Sequence, residues 1–196
     1  MVVVFSMYVT LMPVILAGIL TMIWCKLPVV QAWARPMDRG RQLKDGRRLF
    51  GENKTWKGFA GYLLMGTFSG ITWGVVCQLV PALGRSNYLY AYHDNSVTYN
   101  ALMGLAFGLA YTVCELPNSF LKRRVGIQPG KPSAGSKRWL FFLLDQVDSL
   151  LGCVFVLCLV YPMSVGFYCL FVLLGGLTHI AVNLVLYALK LRKNIF

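Results

Sequence analysis

The stretch "SLLGCVFVLCLVYPMSVGFYCLFVLLGGLTHIAVNLVLYAL" (149–189) decides the fold class, because it runs for 41 residues without a charged side chain. A helix of about 20 apolar residues spans the hydrocarbon core of a bilayer, so this run is long enough for two spans. The segment "VYPMSVG" (160–166) interrupts it near the middle. The stretch therefore predicts two membrane-spanning helices, at about 139–161 and 165–189.

Three further runs without charged residues indicate the same fold, and they cover 1–25, 58–84 and 95–114. Each run fits one span, and the predicted spans are about 3–25, 58–80 and 97–115. Only 13% of all residues are charged, whereas a soluble domain usually carries about a quarter. We therefore expect an all-α integral membrane protein with five transmembrane helices, forming a single transmembrane domain over residues 1–196.

The basic residues predict how these spans are oriented. Of the 19 Lys and Arg residues, 18 lie in 26–57, 115–138 and the tail 190–196, and the remaining one is Arg85. The positive-inside rule places such basic segments in the cytoplasm. The cytoplasmic loops are then 26–57 and 115–138, the N-terminus lies outside and the C-terminus is cytoplasmic. A multi-pass protein of the cell membrane is expected, and its net charge of +12 would attract anionic lipids or nucleotides.

Two acids in "LLDQVDSLLG" (143–152) lie just inside the predicted fourth span. Asp145 and Asp148 are three residues apart, so they share one face of a helix. Two neighbouring carboxylates repel each other unless a cation or basic groups balance them. Salt bridges to the basic loops are one explanation, but the pattern favours a divalent-metal site, because hard cations prefer carboxylate oxygens.

The segment "CELPNSFLKRR" (114–124) adds a third acid and a basic run. Glu115 is expected at the same depth as Asp145. Pro117 disfavours helical geometry in the preceding residue, so either a new helix begins there or the span kinks. A new helix would place Asn118 and Ser119 near its N-terminus, which suits phosphate binding. The basic run alone resembles a topology anchor, but beside an acid cluster it favours a phosphate site.

The segment "DGRRLFGENKTWKG" (45–58) is dense in charge and precedes the second span. Its spacing does not match a P-loop. Arg47 and Arg48 are interpreted mainly as a topology anchor that is attracted to the anionic membrane surface. The run from Asn53 to Lys57 is the better candidate for holding phosphates. Together the three segments predict a polar cavity on the cytoplasmic side. Carboxylates that hold a metal and basic groups that face phosphates are what phosphoryl or nucleotidyl transfer needs.

These segments, with "SFLKRRVGIQPG" (119–130), resemble the CDP-archaeol synthase family over about residues 36–152. Its members are integral-membrane CTP:lipid-phosphate cytidylyltransferases related to phosphatidate cytidylyltransferase. The resemblance implies that a lipid phosphate attacks the α-phosphorus of CTP in the presence of Mg²⁺ and forms a CDP-lipid and pyrophosphate. The implied partners are CTP, a phosphatidate-like or isoprenoid ether lipid phosphate and membrane lipids, with a homodimer as a candidate assembly. No nucleic-acid-binding module is visible.

The resemblance also implies roles for individual residues. The catalytic group is Asp145, Asp148 and Lys122. The metal ligands are Asp145, Asp148 and Glu115. The residues that contact phosphates or build the nucleotide end are Asp45, Asn53, Lys54, Thr55, Lys57, Ser119 and Arg123. Two further acids, Asp38 and Glu52, join this set. The chain departs from the family pattern at Cys114-Glu115, where Gly-Asp is usual, and at Glu52, where Asp is usual, and either change could retune the metal or the acceptor.

Two other functions are compatible with a basic, apolar chain. A small transporter or flippase would more naturally place charges near the middle of the spans and show repeat symmetry, and the chain has neither feature. A non-catalytic lipid-binding protein would leave the paired acids without a role. His179, within the last span, is interpreted as a hydrogen-bonded packing residue, with a position lining the bundle interior as the alternative.

Overall fold

A computed structural model describes residues 2–131 and 137–190. Its helices, α1 to α6 in chain order, are Val2–Trp24, Trp56–Leu79, Pro81–Ser86, Val97–Arg124, Arg138–Val160 and Val165–Ala188. Two short 3-10 helices are Pro28–Trp33 and Tyr88–Tyr90. All but the short α3 are long and apolar enough to cross a membrane. The described ranges contain isolated β-bridges but no strand, so the prediction of an all-α fold with five spans is confirmed.

Three of the long helices begin at a hydroxyl residue that the sequence places just before an apolar run. The side chains of Thr55, Ser96 and Ser164 each accept a hydrogen bond from the backbone N–H three residues later, at 3.2 Å. Such a cap satisfies one of the amide groups that has no partner within the helix. These caps fix the starts of α2, α4 and α6.

Helix α4, which corresponds to the third predicted span, differs from its predicted bounds. The sequence predicts a span over 97–115 and a loop from 115, but α4 continues through Pro117 to Arg124. A proline removes one backbone hydrogen bond, and transmembrane helices tolerate it where neighbouring groups compensate. The alternative in which a new helix begins near Pro117 is therefore wrong. Asn118 and Ser119 lie in the last two turns of a continuous helix and not at a helix N-terminus.

The helices pack in the order α1, α2, α4, α5 and α6, and α6 meets α1 again to close the bundle. Glycines allow α2 and α4 to approach backbone to backbone. A Cβ atom on Gly104 would lie 2.2 Å from the carbonyl oxygen of Gly66, and one on Gly70 would lie 2.3 Å from that of Asn100. This is the small-residue packing typical of helices in lipid, where close approach replaces the hydrophobic effect.

The two halves of the bundle differ in polarity. The half that carries the connection 80–96 is filled by an apolar core that includes Met7, Leu89, Leu157 and Phe171. In the opposite half α1, α4 and α6 end, α2 and α5 begin, and the basic connections lie beyond the helix ends. Among the described residues the charged side chains collect in that second half, apart from Arg85 and Asp94, whereas the first half holds buried neutral polar groups such as Asn87 and Asn100.

Candidate active site

A cavity of about 550 Å³ opens in the basic half of the bundle. Its walls come from the five long helices and from residues within 50–54 and 128–131 of the connections between them. The charged residues on its walls are Lys54, Glu115, Lys122, Arg123, Lys131, Asp145 and Asp148. The structure therefore brings together three acids with Lys122 and Arg123 of α4, although the acids come from different segments of the chain.

The two aspartates of α5 share one hydrogen-bond donor. The amide nitrogen of Asn118 donates to Asp145 Oδ1 and to Asp148 Oδ2, at 2.7 Å in each case. The Lys122 ammonium forms an ion pair with Asp145, and the backbone N–H of Ser149 donates to Asp148 at 2.7 Å. The amide oxygen of Asn118 is buried and has no hydrogen-bond partner. Two carboxylates and one unpartnered carbonyl oxygen thus converge at this point of the cavity.

The third acid is paired with a lysine from the loop. Lys54 forms an ion pair with Glu115, and both side chains are mostly buried. Burial by itself lowers the pKa of Lys54, but Glu115, followed by Asp148 and Asp145, outweighs this and leaves the pKa above its ordinary value. Lys54 is therefore a cation on the cavity wall over the whole physiological pH range.

Arg123 supplies a second cation, and its surroundings are unusual. The residue is 8% exposed, and its Nε and Nη1 atoms are buried without a hydrogen-bond partner. Burying a guanidinium donor without an acceptor is unfavourable by about 1–3 kcal/mol. Gly51 lies against it with φ +101°, and a Cβ atom there would lie 3.4 Å from Arg123 Nη1. An anion in the cavity would be a suitable partner for these donors.

Asp38 organises the loop but is not among the residues that line this cavity. Its carboxylate accepts hydrogen bonds from the backbone N–H groups of Gly40, Phe50 and Gly51 at 2.8–3.1 Å, and it pairs with Arg48. Burial acts to raise the pKa of Asp38, but the hydrogen bonds from Arg48 and the three amides hold it well below its usual value. Arg48, interpreted from the sequence mainly as an anchor, also organises the loop, because its guanidinium pairs with Asp38 and Glu52.

Four other residues predicted for the nucleotide end also lie outside the cavity lining. Nη1 of Arg124 donates to both carboxylate oxygens of Asp45, at 2.6 and 2.7 Å, and so ties the loop to the end of α4. Thr55 caps α2. Lys57 donates to the carbonyl of Cys25 and to Gln31, and the Glu52 side chain is 74% exposed. Asn53, Lys54, Ser119, Lys122 and Arg123 remain on the cavity wall.

Comparison with known proteins gives the chain its family. The family model described as "CarS-like: CDP-archaeol synthase" matches residues 3–196. The chain belongs to the CDP-archaeol synthase family. It is 31% identical over 166 residues to the CDP-archaeol synthase of Pyrococcus furiosus, covering 83% of this chain and 84% of that protein. It is 35% identical to the CDP-archaeol synthase of Aeropyrum pernix, covering 85% of this chain and 81% of that protein.

A solved structure, described as an intramembrane enzyme for archaeal membrane lipids biosynthesis, has the same fold as this family member. The TM-score is 0.58 at 30% sequence identity, and the match covers 90% of this chain and 92% of the other. With the five apolar helices, this likeness establishes the chain as a multi-pass membrane protein.

Several cavity residues escaped the sequence reasoning. Gln146 lies between the two aspartates, and its buried side-chain oxygen has no partner. Asn183 reaches the cavity from α6. His179 of α6 lines the cavity too, and its Nδ1 lies 3.4 Å from the backbone carbonyl oxygen of Gln146, so His179 has both the hydrogen bond and the position at the bundle interior that the sequence offered. A signal for them exists in the sequence, because polar residues within an apolar span are costly unless they face the bundle interior.

Proposed function

We propose that this protein transfers CMP from CTP to a lipid phosphate and releases pyrophosphate, and that its acceptor is an archaeol-type isoprenoid ether lipid phosphate. The observation that carries the proposal is the buried, unpartnered guanidinium of Arg123 in one cavity with the paired carboxylates of Asp145 and Asp148. A nucleoside triphosphate would supply the anion that the Arg123 guanidinium lacks. A cation bound to its phosphates would suit the two carboxylates. The names of the relatives, CDP-archaeol synthase, support the choice of acceptor.

The donor set at the aspartates fits Mg²⁺. Among the described residues no three His, Cys, Asp or Glu side chains form a group that could hold a metal. Mg²⁺ does not require such a cage, because it is usually bound by one or two carboxylates together with substrate phosphates and water. Asp145 and Asp148 would hold the ion, and the unpartnered oxygen of Asn118 could accept from its water shell. When bound, Mg²⁺ would offset the charge that develops on the phosphates.

The protein's own residues would position the two reactants. Arg123 and Lys54 hold the triphosphate, and Lys122 exchanges its contact with Asp145 for a phosphate oxygen. The lipid phosphate is already an anion, so no base has to remove a proton. One of its oxygens forms a bond to the α-phosphorus while the bond from that phosphorus to the α,β-bridging oxygen breaks. The electron pair leaves with pyrophosphate, whose charge the basic groups stabilise.

We also propose that the protein lies in the cell membrane and that the mouth of its cavity faces the cytoplasm. The support is the excess of Lys and Arg in 26–57 and 115–138, because described residues of both segments, such as Lys54 and Lys131, line the cavity. CTP would then enter from the aqueous side. This orientation can be tested by reacting single introduced cysteines with a membrane-impermeant thiol reagent in intact cells.

The activity is tested with purified protein in lipid nanodiscs, labelled CTP, Mg²⁺ and an isoprenoid diether glycerol phosphate. We expect a labelled CDP-lipid whose formation requires the divalent ion. Asp148→Asn should lower the rate by at least about a hundredfold while leaving the protein folded, because it removes a charged ligand in the reacting centre. The matched control is Glu52→Gln, which changes an exposed carboxylate outside the cavity and should retain activity within about twofold.

Absence of a CDP-lipid from a folded wild-type protein that also fails to bind CTP would contradict the proposal. A diacyl glycerol phosphate, assayed in parallel, tests the acceptor separately. Equal kcat/KM for the two acceptors would leave the cytidylyl transfer intact and remove the preference for an archaeol-type lipid.

A further inference from the structure

A second, apolar groove lies between α1 and α6 at the seam that closes the bundle. It has a volume of about 80 Å³, and its walls carry mainly aliphatic side chains such as Ile15, Ile19 and Val182. A narrow, aliphatic groove suits a hydrocarbon chain rather than a polar ligand. Its position at the junction of the first and last spans places it next to the surrounding lipid.

The groove is continuous with the polar cavity. Five residues border both spaces, namely Met22, Tyr62, Tyr111, His179 and Asn183. A ligand in the polar cavity can therefore extend into the groove without crossing a protein wall. A lipid phosphate has this shape, with an anionic head followed by two hydrocarbon chains.

We infer that the groove between α1 and α6 holds the first part of a hydrocarbon chain of the acceptor lipid, and that Gly18 keeps the groove wide enough for it. This inference rests on the proposed function for the identity of the head group. The occupant is a lipid phosphate whose phosphate lies near the carboxylate pair and whose chain leaves along α1 and α6 toward the bilayer.

Gly18 is the position at which the width of the groove is set. It lines the groove, and a Cβ atom added to it would meet no other heavy atom within 4 Å. A larger side chain can thus be accommodated without a clash in the protein, and it would project into the space that the chain needs. Gly175, on the α6 side, differs because a Cβ atom there would lie 3.0 Å from Leu150. Gly18 is therefore a residue that determines acceptor specificity through chain volume.

The test is the variant Gly18→Leu in nanodiscs of fixed composition, with two acceptors: a long-chain isoprenoid diether glycerol phosphate and a dimethyl diether glycerol phosphate, which has the same head group but chains too short to enter the groove. We expect KM for the long-chain acceptor to rise about tenfold, because excluding two methylene groups from an apolar site has an effect of this size. KM for CTP and the rate with the short-chain acceptor should change less than about twofold, as the polar cavity is not altered. Gly18→Ala should give a smaller change in the same direction.

The matched control is Gly166→Leu. Gly166 also lies in a long helix with no heavy atom within 4 Å of an added Cβ atom, but it is exposed at the opposite end of the bundle. It should leave KM for both acceptors unchanged. An equal loss of kcat/KM with both acceptors in Gly18→Leu would overturn the inference. An unchanged KM for the long-chain acceptor together with a lowered unfolding temperature would also overturn it, because that result would indicate a structural lipid in the groove.

A binding measurement separates this inference from the proposed activity. An isoprenoid lipid phosphate with a photoreactive diazirine on its first chain carbons is cross-linked to the wild-type protein, and the labelled peptides are identified by mass spectrometry. Labels in 11–22 of α1 and 175–186 of α6 support the groove even if no CDP-lipid forms. Labels confined to lipid-exposed positions elsewhere, such as Leu64 and Phe68 on α2, would refute it.

Discussion

The unpartnered guanidinium of Arg123 leads to a prediction in which stability and binding change in opposite directions. In Arg123→Met the aliphatic stem is largely retained, while two buried donors without acceptors, Nε and Nη1, are removed. Each such donor is unfavourable by about 1–3 kcal/mol, and the weaker packing of methionine offsets part of the gain. We expect the ligand-free protein to become more stable by about 1–3 kcal/mol, which corresponds to a rise of about 2–12 °C in unfolding temperature.

The same substitution should weaken CTP binding. Charge-assisted hydrogen bonds contribute about 1.5–3 kcal/mol each, so the loss of one phosphate contact raises Kd by about 10- to 150-fold. Unfolding can be followed with a thiol-reactive fluorogenic dye, because Cys77 and Cys153 are free and buried and become reactive when the helices separate. CTP affinity is measured by isothermal titration calorimetry on the same preparation.

Arg124 provides a neighbouring control with the same chemistry and a different role. Its guanidinium pairs with Asp45 and donates to the backbone carbonyls of Arg47 and Arg48. Arg124→Met should therefore lower the unfolding temperature, the opposite of the expectation for Arg123→Met. The reasoning is refuted if Arg123→Met destabilises the ligand-free protein, or if it leaves the CTP affinity unchanged.

Three further predictions concern the packing, the loop and the carboxylate pair. Gly104→Ala should destabilise the protein by about 1–3 kcal/mol in thermal unfolding, because its Cβ would lie 2.2 Å from Gly66 O; no change would refute the close packing. Folding lowers the pKa of the Asp38 carboxyl group. The ionised Asp38 therefore stabilises the folded protein fully at pH values above its pKa in the unfolded chain, about 3.9. This stabilisation is lost as the pH falls from that value toward the pKa of Asp38 in the folded protein. Hydrogen-exchange protection at Gly51 N–H should accordingly hold from pH 7 to about 4, decline below that, and be low at every pH in Asp38→Asn. Asn118→Leu should lower the unfolding temperature, because it removes the hydrogen-bond donor shared by Asp145 and Asp148. Mg²⁺ should restore much of that loss. An unfolding temperature of the variant that is the same with and without Mg²⁺ would argue against a metal at the two aspartates.

The sequence determines the number and the positions of the long helices for a simple physical reason. Charged groups are costly in hydrocarbon, so the spans predicted from the uncharged runs agree with four of the five long helices to within two residues at each end. The one large difference is at Pro117, which α4 contains. Local sequence cannot show whether neighbouring helices compensate for a lost hydrogen bond, and here tertiary packing overrides the local preference.

The candidate site was less predictable, because proximity in sequence does not distinguish a side chain that faces the cavity from one that holds the loop. Lys54 and Lys57 are three residues apart, yet Lys54 pairs with Glu115 across the cavity and Lys57 donates to the carbonyl of Cys25. Thr55 lies between them and caps α2. The chain changes from an irregular loop to a helix at this point, so the directions of successive side chains cannot be read from spacing alone.

The two acids that depart from the family pattern have different surroundings, because only Glu115 lines the cavity. Glu52 extends into solvent and pairs with Arg48 at 3.2 Å, so its additional methylene changes little on the cavity wall. Glu115 lies inside the cavity, where its longer side chain reaches the ammonium of Lys54. The ammonium of Lys54 is thereby paired with an acid of the protein and is not available to another anion. Asp145 and Asp148 are the two acids that share the amide nitrogen of Asn118. Under the proposed function, Arg123 would hold the triphosphate together with Lys54, and Lys54 would exchange its contact with Glu115 for a phosphate oxygen.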